Sequence, residues 1–267
     1  MSIKVIYQND NQLTLAGTDR IFLGEGLFET IRVSSGQPVC AELHWQRMKV
    51  AAHKLSISFE CSREQWHASL LQAGKLANLR DGGIKVVLCP GEAERGLASV
   101  GQNPGLIIQA FQYSIERSPL KLIIAPWRRD SNNPVYSVKS INYLEAITAC
   151  RQARAAGSDD ALFLNFNNEI LETTVANLFL IKNNQLVTPA ISNGILAGIT
   201  RQRILELARK NGIECVERAI PINELYQADS LFTSNALQGV RPVRSVENVN
   251  FDSSHLLINR LNDWLGF

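Results

Sequence analysis

The sequence predicts two α+β domains joined by a short linker, on three observations. Strand and helix patterns are mixed rather than strictly alternating, which argues against one doubly wound sheet. The 267 residues are enough for two domains of ordinary size. Tyr113 to Pro119 (Tyr-Ser-Ile-Glu-Arg-Ser-Pro) is polar and ends in Pro, and a second strand-rich half starts right after it. The predicted division is residues 1–112, a linker at 113–119, and residues 120–267.

The elements follow in order. Leu27 to Val33 reads as a strand, Ser34-Ser35-Gly36-Gln37 as a turn, and Pro38 to Ala41 as a returning strand. A helix pattern follows from Glu42 to Lys54. A second runs from Ser62 to Leu79, with Ser62 as N-cap, Gln65 at the capping-box position, and Asp81-Gly82-Gly83 as its stop. Ile84 to Leu88 and Leu106 to Phe111 are apolar strand candidates. In the second half a strand starts at Leu120, and a helix covers Ile141 to Ala156 before Gly157. Asn167-Asn168 and Asn183-Asn184 then mark two hairpins, because Asn tolerates the positive φ of tight turns. A helix from Thr200 to Lys210 stops at Asn211-Gly212, and another from His255 to Leu265 ends the chain.

Composition narrows the class. The chain is 45% hydrophobic and 19% charged, ordinary for a globular protein. Its net charge is +2 and its Arg residues are scattered, with only Arg128-Arg129 adjacent, so no nucleic-acid partner is expected. The five Cys are widely spaced with no Cys-x-x-Cys pair, and the four His are dispersed, so no metal site is expected. No stretch is apolar for the ~18–20 residues of a membrane span, and the first ten residues lack a signal-peptide core. The expected setting is the cytoplasm, with no membrane partner and with reduced thiols.

Two local features could carry chemistry. Gly194 to Arg203 is a Gly-containing loop leading into a helix, whose first N–H groups lack intrahelical partners and favour an anion. The Thr200 hydroxyl can add a bond, and Arg201 and Arg203 raise the local positive potential; the plain alternative is an ordinary helix start with solvated Arg. Glu172 is a carboxylate inside an apolar hairpin, unusual unless paired. Its partner is a cation or a protonated ring nitrogen, unless it faces solvent on an edge strand. Gly24-Glu25-Gly26 reads as a turn before the first strand. Nothing in composition sets Lys139 apart from the other eight Lys.

Six segments carry a resemblance: Gly24-Glu-Gly-Leu-Phe-Glu-Thr30, His44-Trp-Gln-Arg-Met48, Val138-Lys-Ser-Ile-Asn-Tyr-Leu144, Asn168 to Phe179, Gly198-Ile-Thr-Arg201 and Thr233 to Val243. Together, in this order and over nearly the whole chain, they resemble the fold-type IV pyridoxal-phosphate enzymes. That group includes branched-chain and D-amino-acid aminotransferases and aminodeoxychorismate lyases. The resemblance implies a D-amino-acid aminotransferase-like α+β fold. Its smaller N-terminal domain is α/β, and its larger C-terminal domain, with a strand-rich core, binds the cofactor.

The resemblance also implies pyridoxal 5'-phosphate as cofactor and a homodimer acting on a small-molecule substrate. Lys139 resembles the lysine that carries the cofactor, and Glu172 the carboxylate that keeps the pyridine nitrogen protonated. Arg47, the backbone of Ile199, and the backbone and hydroxyl of Thr200 resemble phosphate ligands. Asn235 and Ala236 occupy another phosphate-loop position, where transaminases of the family tend to carry a hydroxyl residue. Thr30 matches a Thr of the lyases, where a hydroxyl can orient the lysine amine; as a bare residue it is also a β-branched strand former. Arg95, in Lys85 to Gly96, is similar to a residue that grips a substrate carboxylate. The implied activity is conversion of 4-amino-4-deoxychorismate to 4-aminobenzoate and pyruvate in folate synthesis. The alternatives are transamination of D- or branched-chain amino acids and a non-catalytic binding role.

Overall fold

The computed structural model describes residues 4–7 and 19–267. The chain groups into two compact units. The first comprises the described part of Met1–Ser114 together with Val138–Asn142; the second comprises Ile115–Ser137 and Tyr143–Phe267. The sequence assigned everything after residue 120 to the second domain. Val138–Asn142 falls in the first unit because its backbone bonds there. The Phe28 N–H donates to the Lys139 carbonyl at 2.9 Å, and the Ile141 N–H donates to the Gly26 carbonyl at 3.0 Å.

The first unit is a five-stranded sheet with two helices packed on it. Its strands are β1 (Lys4–Tyr7), β2 (Leu27–Ser34), β3 (Gln37–Pro38), β4 (Gly82–Cys89) and β5 (Gly105–Phe111), and its helices α1 (Ala41–Lys54) and α2 (Arg63–Leu76). The sheet order is β1-β5-β4-β2-β3, antiparallel except for the parallel β1–β5 pair. The capping box expected at Ser62 and Gln65 is formed. β3 ends at Pro38, short of the expected Ala41, because Cys40 is left-handed (φ 55°) and opens α1. Leu27, Ile31 and Val33 on one face of β2 meet Trp45, Met48, Trp66 and Leu70 of the helices. The indoles also tie the helices down: Trp66 donates to the Ala41 carbonyl and Trp45 to the Cys61 carbonyl.

The second unit has nine strands and three helices. In order they are β6 (Leu120–Arg129), α3 (Leu144–Ala155), β7 (Asp160–Asn165), β8 (Ile170–Thr173), β9 (Asn177–Lys182), β10 (Gln185–Pro189), α4 (Ile199–Lys210), β11 (Cys215–Arg218), the one-turn α5 (Ile222–Leu225), β12 (Ser230–Asn235), β13 (Gly239–Val246), β14 (Val249–Asn250) and α6 (Leu256–Leu265). That count of helices leaves α5 aside. α3 begins three residues after the expected Ile141, since Ile141 is held by Gly26.

The pairings β9–β12–β13–β6–β7–β8 close through a β8–β9 bridge, Glu172 opposite Asn177, into a ring of six strands. β10 and β11 extend the sheet beyond β9. One side of the sheet buries Leu122, Leu162, Leu178, Leu180, Leu231 and Val243. Phe179 and Phe232 stack at 4.9 Å on the other side, where they pack with α4 and α6. Among the described residues, no helix is long and apolar enough to cross a membrane.

Candidate active site

In the first unit the site residues gather on β2. Successive strand residues point to opposite faces. Phe28 and Thr30 share one face, Glu29 the other. The Lys139 ammonium stands 4.2 Å from the centre of the Phe28 ring. The Lys85 ammonium stands 4.9 Å from the same ring, and Lys85 lies directly across the strands from Thr30. Two lysine side chains thus converge at one aromatic ring, on the strand face that Phe28 shares with Thr30.

On the opposite face, Glu29 is 1% exposed. A buried carboxylate requires a cation and hydrogen bonds. Glu29 has both on α1. Arg47 Nε donates to Oε1 at 2.8 Å and Nη2 to Oε2 at 2.6 Å, while His44 Nδ1 is 2.6 Å from Oε2. Residues three apart lie on one helix face, which is why His44 and Arg47 reach the same partner. Burial pushes the Glu29 carboxyl up, but Arg47 and His44 outweigh it and hold it at about 2. Burial also pushes the His44 imidazole down, against the pull of Glu29. The ring is therefore neutral near pH 7, and Nδ1 is the donor. Arg47, which the resemblance implies as a phosphate ligand, has its Nε–Nη2 edge occupied by Glu29. Arg95 is exposed in the loop after β4.

In the second unit Glu172 ends the β8 hairpin at the ring closure. Arg129 Nη1 donates to its Oε1 at 3.3 Å, while the Leu196 N–H (3.1 Å) and Asn177 Nδ2 (3.3 Å) donate to Oε2. Arg129 is 6% exposed and also binds Glu145 through Nε at 2.9 Å. Its guanidinium carbon lies 3.4 Å from the Phe163 ring centre. The cation left open by the sequence is thus supplied by Arg129.

Asn177 links Glu172 to the start of α4. Its Nδ2 also donates to the Leu196 carbonyl at 2.9 Å, and its Oδ1 lies 2.0 Å from where a Cβ on Gly198 would stand. Gly198 is the N-cap and offers no side chain to the first turn, which holds no acidic residue. The orphan N–H groups of Ile199 and Thr200 suit an anion. Arg201 does not join them. It is 2% exposed and turned away, donating to the Pro189 carbonyl and to Glu217, so its charge is neutralised. The Asn235 side chain accepts from the Leu237 and Gln238 N–H groups and is committed to its own turn.

The structure therefore joins Glu172 with the α4 start, sets Lys139 against Phe28 on the strand face that carries Thr30, and adds Glu29, His44, Lys85, Arg129 and Asn177. The sequence could have found Glu29 by the argument applied to Glu172, a carboxylate among apolar strand residues. No local pattern marked Arg129, whose partners are distant in sequence. The donor set fits pyridoxal phosphate: an uncapped helix start suits its phosphate, and the Glu172 carboxylate suits its protonated nitrogen.

The fold and these groups define a fold-type IV enzyme architecture. Residues 26–246 match the family model for amino-transferase class IV, and the chain belongs to that family. A solved Legionella pneumophila structure, provisionally named a 4-amino-4-deoxychorismate lyase, is 47% identical, with TM-score 0.97 over 100% of this chain and 99% of that one. A Methanocaldococcus jannaschii protein, provisionally named a branched-chain-amino-acid aminotransferase, is 32% identical over 85% of this chain and 80% of its own. The aminodeoxychorismate lyase of Bacillus subtilis is 28% identical over 92% of this chain and 86% of its own. Lyases and aminotransferases thus both stand among the relatives.

Proposed function

We propose that this chain is a pyridoxal-phosphate-dependent lyase that converts 4-amino-4-deoxychorismate to 4-aminobenzoate and pyruvate. The observation that carries this reading is the arrangement on β2: Thr30 on the face of Phe28, with the Lys139 and Lys85 ammonium groups 4.2 and 4.9 Å from its ring. The substrate carries two carboxylates, and a cation such as Lys85 close to the reacting lysine suits such a dianion. The 47% identity to the Legionella pneumophila protein supports the same reading.

When bound, pyridoxal phosphate withdraws electrons from the substrate carbon that bears nitrogen. Arg47, the Ile199 and Thr200 N–H groups and the Thr200 hydroxyl would hold its phosphate, and Glu172 would hold the proton on its ring nitrogen. Lys139 Nζ, neutral and oriented by the Thr30 hydroxyl, removes the proton from the carbon bearing the substrate amine. The neighbouring carbon–oxygen bond breaks, and the electron pair leaves with the enolpyruvyl group. The ring becomes aromatic, and the leaving group takes up one proton at carbon to become pyruvate. Lys85 and Arg95 bind the substrate carboxylates.

The test is pyruvate release from 4-amino-4-deoxychorismate by purified, cofactor-loaded protein with no keto acid added. We expect catalytic release that falls by roughly 10²–10⁴-fold in Lys139→Ala. A second reading, transamination, is favoured by the 32% identity to the Methanocaldococcus jannaschii protein. It is adopted if the cofactor-loaded protein releases no pyruvate but passes an amino group to an added keto acid.

A further inference from the structure

We infer that Glu29 and His44 are a positioning pair that fixes the Arg47 guanidinium as an anion-recognising fork. This rests on the reading above, in which Arg47 meets the cofactor phosphate. Three observations lead there. First, exposure runs outward along the cluster. The Glu29 and His44 side chains are each 1% exposed and the Arg47 side chain 16%, so Arg47 is the member of the cluster that reaches the surface. Second, the contact is side-on: Nε and Nη2 take the two oxygens of one carboxylate. That geometry fixes the guanidinium plane and turns the Nη1 edge away from Glu29. Third, His44 donates to Oε2, the oxygen that also receives Nη2. The imidazole thereby blocks rotation of the carboxylate, and the carboxylate blocks rotation of the arginine.

An arginine on a solvated helix samples many rotamers and loses that freedom on binding, which costs affinity. Here the freedom is already gone. A directional anion such as a phosphate, which takes parallel N–H bonds, gains most from such a fork. Groups behind a ligand typically shift its affinity about 10–100-fold when removed, as they do at metal sites.

The experiment compares pyridoxal phosphate with pyridoxal, which lacks the phosphate, by equilibrium titration of the apo-protein. In Glu29→Gln we expect pyridoxal phosphate to bind about 10–100-fold more weakly, with pyridoxal affinity changed less than about twofold. His44→Gln, a milder change, should move the ratio in the same direction, and Glu29→Asp should restore part of it. Equal weakening of both compounds, or no weakening, in variants that fold overturns the inference. Should Glu29→Gln fail to fold, the His44→Gln ratio decides. Arg47→Ala separates the two claims: if it leaves pyridoxal phosphate affinity unchanged, the phosphate role of Arg47 fails, and the positioning role with it. If Arg47→Ala weakens binding while Glu29→Gln and His44→Gln do not, only the positioning role falls.

Discussion

Glu29 should make the stability of the first unit depend on pH in a way that one substitution removes. Its carboxyl is held at about 2 in the folded protein against an ordinary 4.5. Each pH unit of such a difference corresponds to about 1.4 kcal/mol, so the contribution is about 3 kcal/mol. The folded-state value is the lower one, so the unfolded chain binds the extra proton. The contribution is complete above about pH 5 and is lost as pH falls toward 2. His44 adds to the slope with the same sign. Its folded-state value is depressed, so stability falls as pH drops through 6.5 and the unfolded imidazole protonates.

The perturbation is Glu29→Gln, which removes the titrating group and leaves Arg47 without its carboxylate. The assay is urea unfolding between pH 7 and pH 3, followed by fluorescence of Trp45 and Trp66, which pack in the core of this unit. We expect the variant to be less stable by about 3–5 kcal/mol at pH 7. The gap should shrink by about 2 kcal/mol by pH 3, where the folded-state carboxyl is still ionised and the last part of the contribution is not yet lost. Other carboxylates titrate in both proteins and cancel in the difference. A gap that stays constant across this range would refute the reasoning, since it would show that the lost stability does not come from an ionised Glu29.

Three further outcomes are expected. Arg129→Met should cost about 3–5 kcal/mol in chemical unfolding, because it leaves Glu145 and Glu172 without their shared cation; the same variant should lower pyruvate release more than cofactor content. Gly198→Ala should destabilise by about 1–3 kcal/mol and weaken pyridoxal phosphate binding. Its new methyl would meet Asn177 Oδ1 at 2.0 Å, and that amide is held by Leu196 and Glu172; unaltered binding, measured by titration, would contradict the role given to the α4 start. Thr30→Val should keep cofactor affinity and reduce pyruvate release about 10-fold or more, since only the orienting hydroxyl is lost.

Local signals in the sequence mark the elements well, and distant pairings less well. Ser62 and Gln65 announce α2 because a capping box is a contact between residues three apart. The Asn183-Asn184 turn is legible because both residues adopt positive φ. The start of α3 was misplaced because Ile141 answers to Gly26, more than a hundred residues away, and no local pattern records that bond. The site divides in the same manner. Thr200 and Gly198 stand out as a helix start. Arg201 looked like part of the anion site until its partner, Glu217, proved to lie on β11. Arg129 was invisible because its significance lies in joining Glu145 to Glu172 across the fold.

The two buried carboxylates show why residue type alone could not separate their roles. Glu29 and Glu172 both sit among apolar strand residues, and both are bound by an arginine. Their charge balance differs. Glu29, Arg47 and neutral His44 sum to zero formal charge, and the carboxylate is sealed at 1% exposure. Nothing further is needed there, and what reaches the surface is the arginine. Glu172, Arg129 and Glu145 sum to one negative charge, and the Glu172 side chain keeps 13% exposure. On the reading proposed above, the protonated ring nitrogen of the cofactor would meet the Glu172 carboxylate of that trio. On that reading the same pair of residue types aims a cation in one unit and receives one in the other. The difference follows from which member of the pair is left facing outward.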